Sequence, residues 1–245
     1  MRCTHFPPVE TAKLGRPVAT LSGMRVLDAL ADLLLGSQCP GCDVPRWGIC
    51  ARCAEELDVQ PEVVARPGLP PVVAANPYRP LMDRVIPRYK DDGALHLEGA
   101  LARRLQAAVA ALSPPSDAWV VPVPSRPGAV RARGFDHASR LASAVGRTTG
   151  LRSRRGLRRS SAGTDQQALG KASRKSNMHG SMRACMRGGR VVLVDDIITT
   201  GASLAEAVRA LEFAGVDVVG AAVIANADRS AELLTKSTPC PQQPC

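Results

Sequence analysis

The stretch Val191-Val192-Leu193-Val194-Asp195-Asp196-Ile197-Ile198-Thr199-Thr200-Gly201-Ala202-Ser203 decides the fold. Its four opening apolar residues predict a strand that is buried on both faces, as in a parallel sheet covered by helices. Two adjacent carboxylates, Asp195 and Asp196, follow at the carboxyl end of this strand, and a turn rich in hydroxyl groups leads into a helix from Ala202. Open α/β sheets bind ligands at this end of their strands, so the stretch also predicts a binding site.

The turn after the two carboxylates has the chemistry of a phosphate site. Its hydroxyl groups are donors, its glycine lets the backbone approach an anion closely, and the first N–H groups of the helix present the positive end of the helix dipole. Asp195 and Asp196 can accept hydrogen bonds from the vicinal hydroxyls of a ribose. The stretch therefore predicts a ribose 5-phosphate ligand, with its phosphate held by Thr199, Thr200, Gly201, Ala202 and Ser203.

Three other interpretations of this stretch stay open. An ordinary helix N-cap explains one hydroxyl, but not two carboxylates and a whole polar turn. A P-loop nucleotidase fits poorly, because six residues rather than four separate Gly163 from Gly170, and Ala172 stands where a Ser or Thr should hold magnesium. A receiver domain would share the acidic cluster but not the turn that follows it.

The rest of the chain supplies the elements of a mixed α/β domain. Together they predict a doubly wound, mostly parallel sheet. Strands are predicted over residues 72–75, 118–123, 190–195 and 216–224, and helices over residues 97–112 and 202–214. The predicted domains are a leader with a short helix over residues 1–36, a cysteine module over 37–60, the α/β domain over 61–225 and a flexible tail over 226–245.

The positive charge of the chain is concentrated in one connection. The 245 residues include 32 Lys and Arg against 22 Asp and Glu, a net charge of +10 that favours an anionic partner. Residues 152–190 alone contain 11 Lys and Arg against Asp165. This segment is predicted to be a loop that closes over an anionic ligand, with a solvated coil as the alternative. Only seven aromatic residues argue against a base-stacking surface for single-stranded nucleic acid.

Four of the eight cysteines form two Cys-x-x-Cys pairs separated by seven residues. Each pair can present two thiolates to one metal ion, so the four sulfurs predict a tetrahedral, structural zinc site in a small zinc ribbon. The alternative is a set of redox-active or unligated thiols. The predicted ligands are Cys39, Cys42, Cys50 and Cys53, whereas Cys3, Cys185, Cys240 and Cys245 have no such pairing.

No part of the sequence is expected to contact or cross a membrane. The longest apolar stretch near the start, residues 26–35, is short and is interrupted by Asp28 and Asp32. The first 23 residues lack the apolar core of a signal peptide. The expected location is therefore the cytoplasm, where cysteines are thiols or metal ligands more often than disulfides.

Several segments resemble known families. Residues 191–203 resemble the phosphoribosyl pyrophosphate binding motif of type I phosphoribosyltransferases. Residues 121–126 (Val-Pro-Val-Pro-Ser-Arg) and 131–138 (Arg-Ala-Arg-Gly-Phe-Asp-His-Ala) narrow the resemblance to the ComF (competence protein F) or GntX-like family. The cysteine pairs and the elements Tyr89-Lys90, Gln166-x-x-Leu169, Arg174-x-x-Asn177 and Gly180 match that family as well, so the resemblance covers roughly residues 37–225. The chain departs from the family at Asp136-His137, commonly Asn-Gln, and at Ser181-Met182, usually Ala-Phe.

The resemblance implies a type I phosphoribosyltransferase fold that binds phosphoribosyl pyrophosphate with Mg²⁺. Asp195 and Asp196 would hold the ribose diol in the catalytic centre, and residues 199–203 would hold the 5′-phosphate. The implied pyrophosphate loop is Val123, Pro124, Ser125 and Arg126, with Arg131, Arg133 and Lys90 nearby.

Two functions follow from this sequence. The first is transfer of phosphoribose to an unidentified nucleobase or amine acceptor. The second is a non-catalytic competence-type module that binds DNA or a DNA-uptake partner through phosphate contacts. A homodimer is a further candidate assembly. None of the four histidines lies in a metal-binding or triad-like pattern, so His137 is expected to be a solvent-exposed loop residue.

Overall fold

The computed structural model of the chain describes residues 38–159 and 180–227. The predicted leader and short helix, the middle of the basic segment (160–179) and all but the first two residues of the predicted tail lie outside the described residues. The helices are α1 (Ala51–Leu57), α2 (Asp83–Lys90), α3 (Glu98–Ala111), α4 (Pro127–Arg133), α5 (His137–Thr149) and α6 (Ala202–Glu212). The strands are β1 (Glu62–Val63), β2 (Val72–Pro77), β3 (Trp119–Pro122), β4 (Arg152–Ser153), β5 (Leu157–Arg159), β6 (Met182–Ala184), β7 (Arg190–Ile198) and β8 (Asp217–Asn226).

Six of these strands form one sheet in the order β1-β2-β8-β7-β3-β4. The β1–β2 pair is antiparallel, and every other neighbouring pair in this sheet is parallel. Strands β5 and β6 form a separate antiparallel pair. The predicted mixed α/β fold with a mostly parallel sheet is therefore confirmed. No helix in residues 38–159 or 180–227 is long and apolar enough to span a bilayer.

Strand β7 is buried on both faces, as its continuous apolar run predicts. Val192 and Val194 pack into the core formed with α3 and α5. Val191 and Leu193 pack into the core on the opposite face, formed with α6. Because successive side chains of a strand point to opposite faces, each core receives every second residue of the run.

The structure corrects the predicted end of β7. The sequence predicts that this strand ends at Asp195. In the structure, Ile197 and Ile198 continue its pairing with Ala225 and Asn226 of β8. On its other side, β7 pairs with β3 only as far as Val194. The two carboxylates therefore lie inside β7, at the point where β3 has ended and its following loop begins.

The cysteine module packs directly against the α/β domain. Cys39 and Cys53 are buried in the same core as residues of α2 and α3. A Cβ atom on Gly41 would lie 2.6 Å from Leu81 and 2.8 Å from the Cys53 sulfur, so the tight approach of the first cysteine pair requires a glycine. Arg84 of α2 donates a hydrogen bond to the Gly41 carbonyl at 2.9 Å.

Arg104 of α3 joins the segment after α1 to strand β2. Its guanidinium donates to Asp58 at 2.8 Å, to Asn76 at 2.9 Å and to the Ala75 carbonyl at 3.0 Å, and it also contacts the Val59 carbonyl. The Arg104 side chain is only 11% exposed, whereas Asp58 is exposed. Asn76 and Ala75 are buried, so water has little access to replace Arg104 at these two acceptors.

We expect Arg104→Met to lower the free energy of unfolding by about 2 kcal/mol, because it leaves two buried acceptors, Asn76 Oδ1 and the Ala75 carbonyl, without this donor. Urea denaturation is the measurement. The matched control is Arg103→Met, which removes an exposed arginine from the same helix and should change stability by less than about 0.5 kcal/mol. Equal losses in the two variants would contradict the role of Arg104.

Candidate functional site

The candidate site is centred on Asp195 and Asp196 of β7, whose side chains meet different elements. Asp196 contacts Lys90 at the end of α2 and His137 at the start of α5. Asp195 interacts electrostatically with Arg159 at the end of β5 and also with Lys90. The backbone N–H of Asp196 donates to Oδ1 of Asp195 at 2.9 Å, which orients the Asp195 carboxyl group.

Asp196 is held by two nitrogen atoms. Nζ of Lys90 lies 2.5 Å and Nε2 of His137 lies 3.0 Å from the same oxygen, Oδ2. Asp196 is only 7% exposed. Burial alone would raise the pKa of Asp196, but the neighbouring His137 and the charge of Lys90 lower it below its ordinary value. Asp196 is therefore a stable carboxylate in the absence of ligand.

Asp195 has the opposite tendency. Burial and the neighbouring negative charge of Asp196 raise the pKa of Asp195 well above its ordinary value. The two adjacent carboxyl groups are therefore unequal, with one held in the charged form and the other holding its proton to higher pH. Such a pair can accept hydrogen bonds from the hydroxyls of a diol and can also donate one to them.

His137 is buried, so the expectation that it is an exposed loop residue is wrong. It is 5% exposed and is the first residue of α5. Gly134 ends α4 with a left-handed backbone (φ 77°), and Asp136 caps α5 by accepting the Ser139 N–H. A glycine stop followed by an Asp N-cap is a readable signal for a new helix, although it does not indicate which residue of that helix meets β7.

The loop after β3, which is predicted to bind pyrophosphate, lies next to the strand residue that precedes the two carboxylates. The Val123 N–H donates to the carbonyl of Val194 at 2.9 Å, immediately before Asp195. Ser125 Oγ donates to Asp136 at 3.4 Å, and Arg126 is the exposed N-cap of α4.

Arg159 belongs to this loop region, although sequence analysis counted it only within the basic segment. Its Nε donates to the Pro124 carbonyl at 2.9 Å. Burial and the nearby charge of Arg126 lower the pKa of Arg159, while Asp195 acts in the opposite direction. Two guanidinium groups therefore lie at this loop, and that of Arg159 also interacts with Asp195. Only the tertiary structure brings Arg159 here, so no local pattern could have distinguished it from the neighbouring arginines.

The other three predicted cations are placed differently. Arg131 is exposed on α4. Arg133 is 2.8 Å from Nδ1 of His137, and Lys90 is paired with Asp196. Two of the three cations expected around the pyrophosphate loop are therefore engaged with the buried carboxylate and its histidine.

The predicted phosphate turn connects β7 to α6. Gly201 has a left-handed backbone (φ 78°) at the N-cap of α6, a conformation that favours glycine. Thr199 and Thr200 are exposed, and Ala202 N–H donates to Thr200 Oγ1 at 3.4 Å. Ser203 lies in the first turn of α6 and is partly buried. The turn therefore combines accessible hydroxyls with the open end of a helix.

The segment after β1 borders this turn. Arg66 donates to the Thr199 carbonyl at 3.3 Å and to Asn226 Oδ1 at 3.3 Å. A Cβ atom on Gly201 would lie 3.0 Å from Leu69, so the glycine also permits close packing of this segment. The sequence predicts only that residues 61–71 open the α/β domain, and it does not predict this contact.

The four paired cysteines converge in space. The Sγ atoms of the four cysteines all lie within 4.8 Å of one another; they belong to Cys39, Cys42, Cys50 and Cys53. Burial would raise the pKa of Cys39, but backbone N–H groups, chiefly that of Cys50, lower it to about 7. Burial raises the pKa of Cys53. Four convergent thiols are the donor set of a tetrahedral zinc site, so the cluster is compatible with the predicted zinc ribbon.

Comparison with known proteins supports the predicted resemblance to phosphoribosyltransferases. The model of the phosphoribosyl transferase domain family matches residues 129–240. This segment includes α5, β7, the phosphate turn and β8, so the match supports a domain of the phosphoribosyltransferase superfamily. The narrower ComF resemblance stays a prediction.

A solved structure, that of Leishmania donovani UMP synthase, is similar to the chain at 20% sequence identity and a TM-score of 0.35. The similarity covers 62% of this chain and only 26% of the UMP synthase chain. No curated protein sequence matches the chain.

Proposed function

We propose that the protein binds phosphoribosyl pyrophosphate with Mg²⁺ and transfers its phosphoribosyl group to a nucleobase or amine acceptor. The observation that carries this proposal is the unequal carboxyl pair Asp195 and Asp196, followed directly by a glycine-capped hydroxyl turn at a helix N-terminus. This combination offers acceptors for a ribose diol and donors for its 5′-phosphate within one continuous segment. The family match over residues 129–240 supports the same substrate class.

The residues of the site would divide the ligand between them. Asp195 and Asp196 bind the ribose hydroxyls, and the turn over 199–203 binds the 5′-phosphate through hydroxyl and backbone donors. Arg126 and Arg159, beside the loop after β3, bind the pyrophosphate. Their fixed positive charges stabilise the charge that grows on the leaving group. When bound, Mg²⁺ supplies further neutralisation of the pyrophosphate oxygens.

Positioning accounts for most of the catalysis in this proposal. As the bond from the anomeric carbon to pyrophosphate weakens, positive charge develops on the sugar ring. The Asp195 and Asp196 carboxyl groups hold the ring through its hydroxyls while the cations hold the departing group, so the acceptor meets a fixed carbon atom. The acceptor is expected to approach from the side of the ring opposite the pyrophosphate.

Isothermal titration with phosphoribosyl pyrophosphate and MgCl₂ tests the proposal. We expect the double variant Asp195→Asn with Asp196→Asn to bind at least about tenfold more weakly than the wild type, because charged acceptors for the diol are lost. Asp217→Asn, an exposed carboxyl-to-amide change at the start of β8, is the matched control and should bind normally. Absence of binding by the wild type would overturn the proposal and favour the DNA-binding alternative.

We also propose that the four cysteines hold one structural Zn²⁺. The support is the convergence of four thiols from two short turns, with Cys39 and Cys53 sealed from solvent. Four thiolates would fill a tetrahedral coordination shell, so the ion would have no open position for chemistry.

A further inference from the structure

We propose that His137 is a positioning residue that holds the Asp196 carboxylate in place for a ligand, and that Arg133 fixes the histidine in the tautomer this task needs. The proposal concerns a contact that exists without ligand. It rests on the proposed function only for the identity of the ligand. The four connected side chains are called the Asp196 relay and are Arg133, His137, Asp196 and Lys90.

The contact with Arg133 determines the tautomer of His137. NH1 of Arg133 lies 2.8 Å from Nδ1 of His137. A guanidinium has donors but no acceptor, so Nδ1 must be the unprotonated nitrogen that accepts this hydrogen bond. The ring proton is then on Nε2, which lies 3.0 Å from Oδ2 of Asp196. Arg133 therefore directs the donor nitrogen of the imidazole toward the carboxylate.

The side chains of His137 and Arg133 are held rigidly. The His137 side chain is 6% exposed and the Arg133 side chain 16% exposed, which leaves both little freedom to turn toward solvent. His137 sits on the first turn of α5, where Asp136 accepts from both the N–H and, at 2.6 Å, the hydroxyl of Ser139. The imidazole is thus fixed by a capped helix on one side and by a guanidinium on the other.

The two nitrogen partners of Asp196, Lys90 and His137, differ in conformational freedom. Lys90 reaches Asp196 with a flexible stem of four carbons, so its ammonium group can follow a moving carboxylate. His137 is planar and fixed, so it determines where Oδ2 lies. Because both nitrogens contact Oδ2, the second oxygen of Asp196 is the acceptor left for a hydroxyl of the ligand. Removing His137 would leave Lys90 to draw the carboxylate away from that position.

A spectroscopic test measures the relay without any ligand. Long-range proton–nitrogen correlation spectra distinguish the two neutral imidazole tautomers, and a His137→Gln sample assigns the His137 signal among the four histidines. We expect the wild type to show the Nε2-protonated form, and Arg133→Met to shift the Nδ1 resonance, because Nδ1 loses the guanidinium that donates to it. A wild-type His137 protonated on Nδ1, or one unaffected by Arg133→Met, would overturn the proposal.

A binding series tests the consequence for a ligand. Glutamine carries an acceptor and a donor on one planar group, so His137→Gln can accept from Arg133 and donate to Asp196. His137→Asn carries the same groups on a side chain that is one methylene shorter, and His137→Leu carries neither. In titrations with phosphoribosyl pyrophosphate and MgCl₂, we expect His137→Gln to bind within about threefold of the wild type, and the other two about tenfold or more weakly.

The two experiments separate this proposal from the proposed function. Equal weakening by Gln, Asn and Leu would show that His137 only fills space and would overturn the proposal. If the leucine variant does not fold, the comparison of Gln with Asn still decides. If the wild type binds no phosphoribosyl pyrophosphate, the proposed function fails, whereas the tautomer spectra still confirm or overturn the relay.

Discussion

Asp196→Asn is expected to lower the free energy of unfolding by about 3 kcal/mol at pH 7, because breaking a buried ion pair leaves its partner charge without compensation. Lys90 would keep its charge beside a neutral amide, and the amide NH₂ group could point a donor at another donor. Asp195→Asn is expected to raise the free energy of unfolding at the same pH. Two adjacent residues with the same chemistry should thus have opposite effects.

The sign for each residue follows from its pKa shift. The raised pKa of Asp195 means that the unfolded chain releases this proton at lower pH than the folded chain does. Ionisation of Asp195 therefore costs stability, and this cost appears as pH rises above the unfolded pKa of about 4. The lowered pKa of Asp196 gives a contribution that is present above pH of about 4 and is lost as pH falls toward its folded value.

Urea denaturation of both variants at pH 7 and at pH 4 is the measurement. The gain in Asp195→Asn should be much smaller at pH 4, whereas the loss in Asp196→Asn should decrease only slightly, because its contribution is lost mainly below that pH. Asp217→Asn should change little at either pH. Adding Lys90→Met to Asp196→Asn removes the stranded charge and should recover part of the lost stability. Shifts of the same sign in the two single variants would contradict the assigned charge states.

The core of the fold could be predicted from the sequence because its signals are local. The run from Val191 to Val194 identifies a strand covered on both faces, and the structure buries it in two separate cores. The carboxyl pair and the turn to α6 are also local, since they are continuous in sequence. Their arrangement follows from one strand, one glycine and one helix N-terminus.

The partners of the carboxylates could not be predicted, because each comes from a different element. Lys90 ends α2, His137 begins α5 and Arg159 ends β5. Their proximity depends on how helices pack on the sheet, which a spacing pattern does not encode. The resemblance identified Lys90 and Arg133 as site residues but associated them with the pyrophosphate, whereas both are engaged at Asp196 or its histidine.

Helix α2 explains why the cysteine module matters to this site. Near its start, Arg84 binds the Gly41 carbonyl, and Leu81, just before the helix, packs on Gly41 and Cys53. At its end, Tyr89 lies edge-on to Phe135 at 5.9 Å, and Lys90 reaches Asp196. One short helix therefore contacts the cysteine module at one end and the candidate site at the other.

Cys53→Ser is therefore expected to cost more than the loss of a surface module would. Cys53 is 1% exposed and lies in the core shared with α2 and α3, so loss of the proposed zinc ion would loosen packing well beyond the cysteine pairs. We expect a loss of at least about 3 kcal/mol in the free energy of unfolding, because metal binding by such sites contributes directly to folding. A zinc chelator should have the same effect on the wild type and little on the variant.

Elemental analysis and a matched cysteine variant complete this test. Protein prepared without chelator should hold about one zinc per chain. Cys185→Ser changes an exposed cysteine outside the cluster, so it should keep both the zinc and the stability of the wild type. A wild-type content far below one equivalent would remove zinc from the account of the cluster. A Cys53→Ser chain as stable as Cys185→Ser would show that the cluster does not support the core around α2.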